Sequence, residues 1–143
     1  MNAHIQEAPP RVAPRLKGAP KIRQLFWCDF PQDAQLPEFW KRRPVIVISY
    51  RNTLHGAVTV IPCSTQAQPG NQWAFPLQTT IDGRAAFAIC DKMTTVAVSR
   101  LVPDKEGIVR MPEAEFNDML GLVLSWLPKL PVPPDLPAAA PEA

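Results

Sequence analysis

The sequence predicts a mainly β protein, a barrel or strongly curved antiparallel sheet finished by one C-terminal α-helix. Three observations carry that prediction. Short apolar runs follow one another between Gln24 and Asp91, separated by Gly, Pro and polar breaks, at the spacing of a barrel or curled sheet. The hydrophobic period becomes helical only once, after Pro112. The chain has 143 residues and 18 prolines, many of them near the two ends, which leaves one central stretch able to form a single core. The division expected is a disordered, Pro-rich tail over 1–20, a folded domain over 21–127, and a Pro/Ala-rich tail over 128–143.

Gln24 to Phe30 is the first strand, aromatic-rich and ended by Pro31. The connection from Pro31 to Arg43 is longer than usual, a length that goes with function or mobility. Pro44 to Tyr50 reads P-V-I-V-I-S-Y, too apolar for a half-exposed strand, and is expected at the centre of the sheet. After the polar turn Arg51 to Gly56, Ala57 to Cys63 is a third strand, antiparallel to the second, with Pro62 ending that pairing. Strands are also expected at Trp73–Thr79 and Ala85–Asp91, joined through an Asp82-Gly83 turn. Phe116, Met119, Leu120, Val123, Leu124 and Leu127 then fall on one helical face, with Pro112 in the first turn, Glu113 and Glu115 at the positive end, and Pro128 as the stop. That stripe is read as packing.

No segment has the length of a membrane span or the pattern of a signal peptide, so a cytoplasmic protein is expected. Cys28, Cys63 and Cys90 are odd in number and far apart, which suggests free thiols and neither a disulfide framework nor a CxxC metal site. The formal charge of +2 is small, but Glu38 to Arg100 has seven basic and three acidic residues, whereas Leu101 to Leu127 has two and five. Such a division gives either a basic face for a polyanion or an ordinary solvated surface. With His4 in the N-terminal tail and His55 in a turn, a two-histidine mechanism has no support. Neither does a metal centre or a phosphate-binding glycine loop.

Three segments at strand ends remain: E-F-W-K-R-R-P (Glu38–Pro44), P-C-S-T-Q (Pro62–Gln66) and C-D-K-M (Cys90–Met93). If the second and third strands form a hairpin, Arg43 and Ser64 become neighbours at one sheet edge. L-F-W-C-D-F (Leu25–Phe30), R-R-P-V-I-V-I-S (Arg42–Ser49), V-I-P-C-S-T-Q (Val60–Gln66), I-C-D-K-M (Ile89–Met93) and S-R-L (Ser99–Leu101), taken in order, resemble the MazF/PemK/Kid family of toxins.

That resemblance implies an SH3-like barrel of the MazF/PemK/Kid type. It implies a homodimer that cuts single-stranded messenger RNA at short sequences, without metal or cofactor, and is held inactive by an antitoxin. It places Arg43 at the family's catalytic arginine, Ser64 at its threonine hydroxyl and Glu38 at a loop glutamate, with Thr65, Gln66 and Asp91 supporting. Attack by a ribose 2′-hydroxyl on the adjacent phosphate leaves a cyclic phosphate. A guanidinium fork and a hydroxyl suit the charge that develops. The proton acceptor is either Glu38 or an Arg43 perturbed by its site. Phe39, Trp40 and Trp73 are either base-stacking or packing residues, and Lys41, Arg42 and Lys92 either track the backbone or are solvated charges. Cys63 is read as a buried apolar residue facing away from Ser64. The sequence departs from the family at Arg23-Gln24, Lys41-Arg42, Ser64 and Ile89. A non-catalytic RNA- or partner-binding barrel and a gyrase-poisoning toxin of the same fold are the rival readings.

Overall fold

The computed structural model describes residues 6–133. Its long strands grow from the β-branched and aromatic runs: β1 (Gln24–Asp29), β2 (Arg42–Val47) and β3 (Ala57–Ser64) form a central antiparallel ladder. Leu25, Ile46 and Ile61 make one row across it, and Phe26, Val45 and Pro62 the next. Around this ladder lie β4 (Ala74–Pro76), β5 (Phe87–Ile89), β6 (Thr94–Ala97), β7 (Leu101–Val102), β8 (Val109–Arg110), a 3₁₀ turn (Val98–Arg100) and α1 (Glu113–Trp126).

Two strands change neighbours along their length. β1 pairs with β8 through Gln24 and Leu25, and with β7 through Trp27 and Cys28. β3 pairs with β6 over Ala57–Val60 and with β5 at Cys63 and Ser64. The β2–β3 pairing stops at Val45 opposite Pro62, where proline brings no amide hydrogen. Strands shared in this way force the sheet to curl, giving an antiparallel half-barrel with one C-terminal helix.

Both faces of the ladder are buried, which explains the unbroken apolar run of β2. One face, with Phe26, Cys28, Val45 and Val60, is closed by Val96, Val98 and Leu101. The other, with Leu25, Ile46, Ile61 and Cys63, is covered by Phe116, Met119 and Val123 of α1. All three cysteines are free and buried, and desolvation pushes the thiols of Cys28 and Cys90 up to about 12.

Several elements differ from the sequence expectations. β2 begins at Arg42 and ends at Val47, because Ser49 and Asn52 turn the chain there through their side chains, Ser49 Oγ lying 2.6 Å from Asn52 Oδ1. The strands expected at Trp73–Thr79 and Ala85–Asp91 shrink to three residues each, and β6, β7 and β8 were not foreseen. Pro112 is the residue before α1 rather than inside its first turn. Leu124 is exposed and Leu122 packs in its stead. Glu115 does more than face the helix dipole: it accepts the amides of Gln78 (2.6 Å) and Thr79 (3.1 Å) and the Thr79 hydroxyl (2.6 Å), tying the β4–β5 connection to α1.

The N-terminal segment is a larger correction. Residues 11–20 are held to the barrel at several points instead of trailing from it: Leu16 is buried in the cluster that also holds Phe26, Phe30 and Val47, Pro20 is buried, and Arg15 reaches Asp29. Proline removes amide donors but does not prevent apolar packing, so composition alone misjudges such a stretch. Residues 128–133 are exposed; the remainder of the C-terminal tail, like His4, lies outside the described residues. No helix among the described residues is long and apolar enough to cross a membrane.

Candidate functional site

A groove of about 120 Å³ opens at the end of the ladder where β2 begins and β3 ends, lined by Trp27, Lys41, Arg42, Arg43, Pro44, Cys63, Thr65 and Arg84. Four of those eight residues are cationic. Arg43 comes from the start of β2, opposite Cys28 of β1. The β2–β3 pairing ends at Val45 opposite Pro62, and Ser64 pairs instead with Phe87 of β5, so the groove wall holds Arg43 and Thr65 but not Ser64. Cys63 is on the ladder face covered by α1 and fully buried, as the sequence suggests.

Arg43 is half-buried and held from two sides. Its Nε donates to the Trp40 carbonyl at 3.1 Å, and its guanidinium carbon stands 5.1 Å from the centre of the Phe39 ring. This uses one of the five N–H bonds of the guanidinium and leaves both Nη groups without a protein partner among the described residues. Burial alone pushes its pKa down from the ordinary arginine value. Phe39 packs against the core and pairs with Phe30 at 5.9 Å, so it serves as the shelf for Arg43. Trp40 is exposed, with Lys41 Nζ 5.1 Å from its ring centre. Lys41 adopts a left-handed backbone conformation, φ 57°, which an ordinary side chain rarely takes.

The cations are not equivalent. Arg42 forms a two-pronged pair with Asp29, Nε to Oδ1 at 2.7 Å and Nη2 to Oδ2 at 3.1 Å, and its own charge is thereby spent within the fold. That pair, with Arg15, holds the Asp29 carboxyl below the usual carboxylate range. Arg84 is paired with Asp82. Among the described residues Arg43 and Lys41 have no carboxylate within ion-pair distance, so the positive potential of the groove rests chiefly on them.

The other residues singled out by sequence fall in different places. The Ser64 hydroxyl is buried and accepts the Gln66 amide at 3.2 Å, whereas Thr65 is exposed and lines the groove. Glu38 accepts the Gln35 amide at 2.6 Å and braces the loop; it does not line the groove. Asp91 pairs with Lys92 at 2.9 Å, and its Oδ1 is buried with no hydrogen-bond partner. Lys92, Asp91, Gln66 and the half-buried Trp73 are absent from the groove wall. Arg84 and Trp27 are groove residues that the sequence reading missed. Trp27 is fixed by a 3.0 Å bond from its indole N–H to Asp104, and Arg84 arrives through the β4–β5 hairpin. Among the described residues no three His, Cys, Asp or Glu side chains cluster as metal ligands.

The fold has clear relatives. MazF from Deinococcus radiodurans superposes with a TM-score of 0.61 at 20% identity, over 75% of this chain and 94% of that one. The Mycobacterium tuberculosis toxin MazF-mt6 gives 0.56 at 16%, over 73% and 95%. An endoribonuclease in complex with its cognate antitoxin, from a mycobacterial species, gives 0.57 at 19%, over 80% and 100%. No curated protein matches the sequence. At these identities the superpositions establish the fold, and the family follows from a separate match: residues 21–125 fit the model of the PemK-like, MazF-like toxin of type II toxin–antitoxin systems. The chain therefore belongs to the PemK-like, MazF-like toxin family.

Proposed function

We propose that this toxin is a metal-independent, sequence-specific endoribonuclease that cuts single-stranded messenger RNA, with Arg43 at the centre of the site. The observation that carries the reading is a guanidinium with two uncommitted Nη groups in a cationic groove whose wall also carries Thr65. The 2′-oxygen attacks the adjacent phosphorus as it loses its proton, the bond to the 5′-oxygen breaks, and that oxygen takes up a proton from water, leaving a 2′,3′-cyclic phosphate and a 5′-hydroxyl. Arg43 Nη groups hold two equatorial oxygens as charge grows on them. Ser64 and Thr65 supply a further donor. Ser64 ends β3 and is buried, and Thr65 on the groove wall has the exposed hydroxyl.

A guanidinium stays protonated near neutrality even when burial lowers its pKa, so Arg43 is the electrostatic element; Glu38, which braces the loop and lies off the groove wall, steadies the Arg43 loop, and the 2′ proton passes to water in the open groove. Trp40, exposed beside Lys41, stacks a base, and Lys41 and Arg84 of the groove wall meet neighbouring phosphates. Gln66 and Asp91 support the walls of the site, and Trp73 and Lys92 serve an RNA strand that runs past the groove. The dependence on the 2′-hydroxyl makes the enzyme selective for RNA over DNA. The family also supports action as a homodimer in the cytoplasm, silenced by a cognate antitoxin; the mycobacterial relative was solved with its own.

Purified protein should cut a single-stranded RNA in excess chelator and leave the DNA of the same sequence intact. An RNA bound but uncut would favour a binding barrel, and inert protein that stalls gyrase would favour the gyrase-poisoning class.

A further inference from the structure

The family match begins at residue 21, yet the preceding ten residues are anchored to the barrel at Arg11, Arg15, Leu16 and Pro20. Leu16 is buried in the core cluster that also holds Phe26, Phe30 and Val47. The Pro20 carbonyl accepts Asn52 Nδ2 at 3.0 Å, and Arg11 Nη1 donates to the His55 carbonyl at 3.3 Å. Between these fixed points Arg15 spans two elements, with Nη1 2.8 Å from Asp29 Oδ2 and Nη2 3.0 Å from the Ser99 carbonyl.

Asp29 is the last residue of β1 and stands opposite Arg42, the first residue of β2, so the connection from Phe30 to Lys41 leaves and returns at this pair. Its neck is closed by the two-pronged Asp29–Arg42 contact and by the Phe30 amide on the Lys41 carbonyl at 3.3 Å. The end of the same connection supplies the Trp40 carbonyl and the Phe39 ring that hold Arg43. A continuous path of contacts thus runs from Arg15 through Asp29 and the neck to the reactive guanidinium.

We propose that residues 11–20 form a strap, an addition to the family domain, that clamps the neck of the Phe30–Lys41 loop through Arg15, which makes Arg15 a positioning residue for Arg43. The catalytic consequence rests on the nuclease reading above; the clamp itself does not. Arg15 acts on orientation, since its guanidinium is committed to Asp29 and Ser99 and has no seat on the groove wall. Arg15 and Asp29 are both partly exposed, so the pair adds little to global stability. Loss of orientation at a reacting group is far more costly in rate, because small misplacements there are amplified.

The test compares the full-length parent with Arg15→Ala, Arg15→Lys and, as a control for charge, Lys17→Ala on the same strap. Two quantities are read: amide hydrogen exchange across residues 30–41, and single-turnover cleavage of a fluorescent RNA oligonucleotide over a range of RNA and salt concentrations. Arg15→Ala should speed exchange in the loop and lower kcat by about 3- to 10-fold with KM and the salt dependence unchanged. Arg15→Lys should recover part of the rate, and Lys17→Ala should match the parent. Unchanged loop exchange in Arg15→Ala would overturn the clamp. A rise in KM with a shallower salt dependence would overturn it too, making Arg15 an RNA contact. If the parent cuts no RNA, the nuclease reading falls by itself while loop exchange still decides the strap.

Discussion

Replacing Arg43 tests the proposed chemistry most directly. Its Nε is engaged by the Trp40 carbonyl and its two Nη groups are left for the phosphate, so Arg43→Ala removes both donors and the charge at once. Loss of one preorganised donor at a developing oxyanion costs about 2.7–4 kcal/mol, a factor of ~10² to 10³ in rate, and that range is the minimum expected here. The effect on folding should be far smaller. Arg43 is half-buried at a sheet end and gives up a contact over Phe39 worth about 0.5–1 kcal/mol. Arg43→Lys keeps a point charge but loses the fork and the bond to Trp40, and should recover only a small part of the rate. The assay is single-turnover cleavage of an end-labelled RNA in chelator, with thermal unfolding recorded on the same preparations. Cleavage by folded Arg43→Ala within about threefold of the parent, set against the 10²-fold minimum, would refute the assignment.

The hydroxyl pair should separate by burial. Thr65→Ala is expected to slow cleavage about tenfold with an unchanged melting temperature, while Ser64→Ala should also lose about 1 kcal/mol because the Gln66 amide loses its acceptor; parent-level rates in both variants would remove the alcohols from the mechanism. Glu115→Ala strips the acceptor from two amides and a hydroxyl, and should lower stability by about 1–3 kcal/mol, read as a shifted urea midpoint. Asp29 is held below the ordinary carboxylate range by Arg42 and Arg15, so its contribution is present above the unfolded pKa, about 3.9, and lost as pH falls through the lowered folded value. The melting gap between parent and Asp29→Asn, of order 1 kcal/mol for partly exposed pairs, should therefore be widest near neutrality and close in acid; a gap that widens in acid contradicts the pairing.

The legibility of the fold follows from element length. β1, β2 and β3 announce themselves because six to eight residues of β-branched or aromatic character give a pattern, and the half-barrel class follows from them. β7 and β8 have two residues each, and nothing in Leu101–Val102 or Val109–Arg110 marks a strand; they exist because β1 offers them a partner. Leu16, a lone leucine in a proline-rich stretch, has no period at all, and its burial is visible only once the open face of the barrel is known.

For the site, the hairpin of β2 and β3 lets Arg43 and Ser64 be brought together on paper. The role of Arg42 was hidden, because its neutralisation depends on a cross-strand partner on the far side of a long loop. Arg84 was hidden for a related reason: it reaches the groove by a change of strand partner, which composition does not record. Glu38 is a carboxylate at a recognisable position whose hydrogen bond serves the loop itself.

Pro62 has a further consequence. By ending one ladder and releasing β3 into another, it divides the groove wall between two ladders. Arg43 is anchored on the six-residue strand that spans the centre of the sheet, whereas Arg84 hangs from a hairpin seated on β3 by two residue pairs. Arg43 and Arg84 thus stand on different ladders of the sheet. On the proposed nuclease reading, substitutions in the hairpin should alter RNA binding more than the cleavage step.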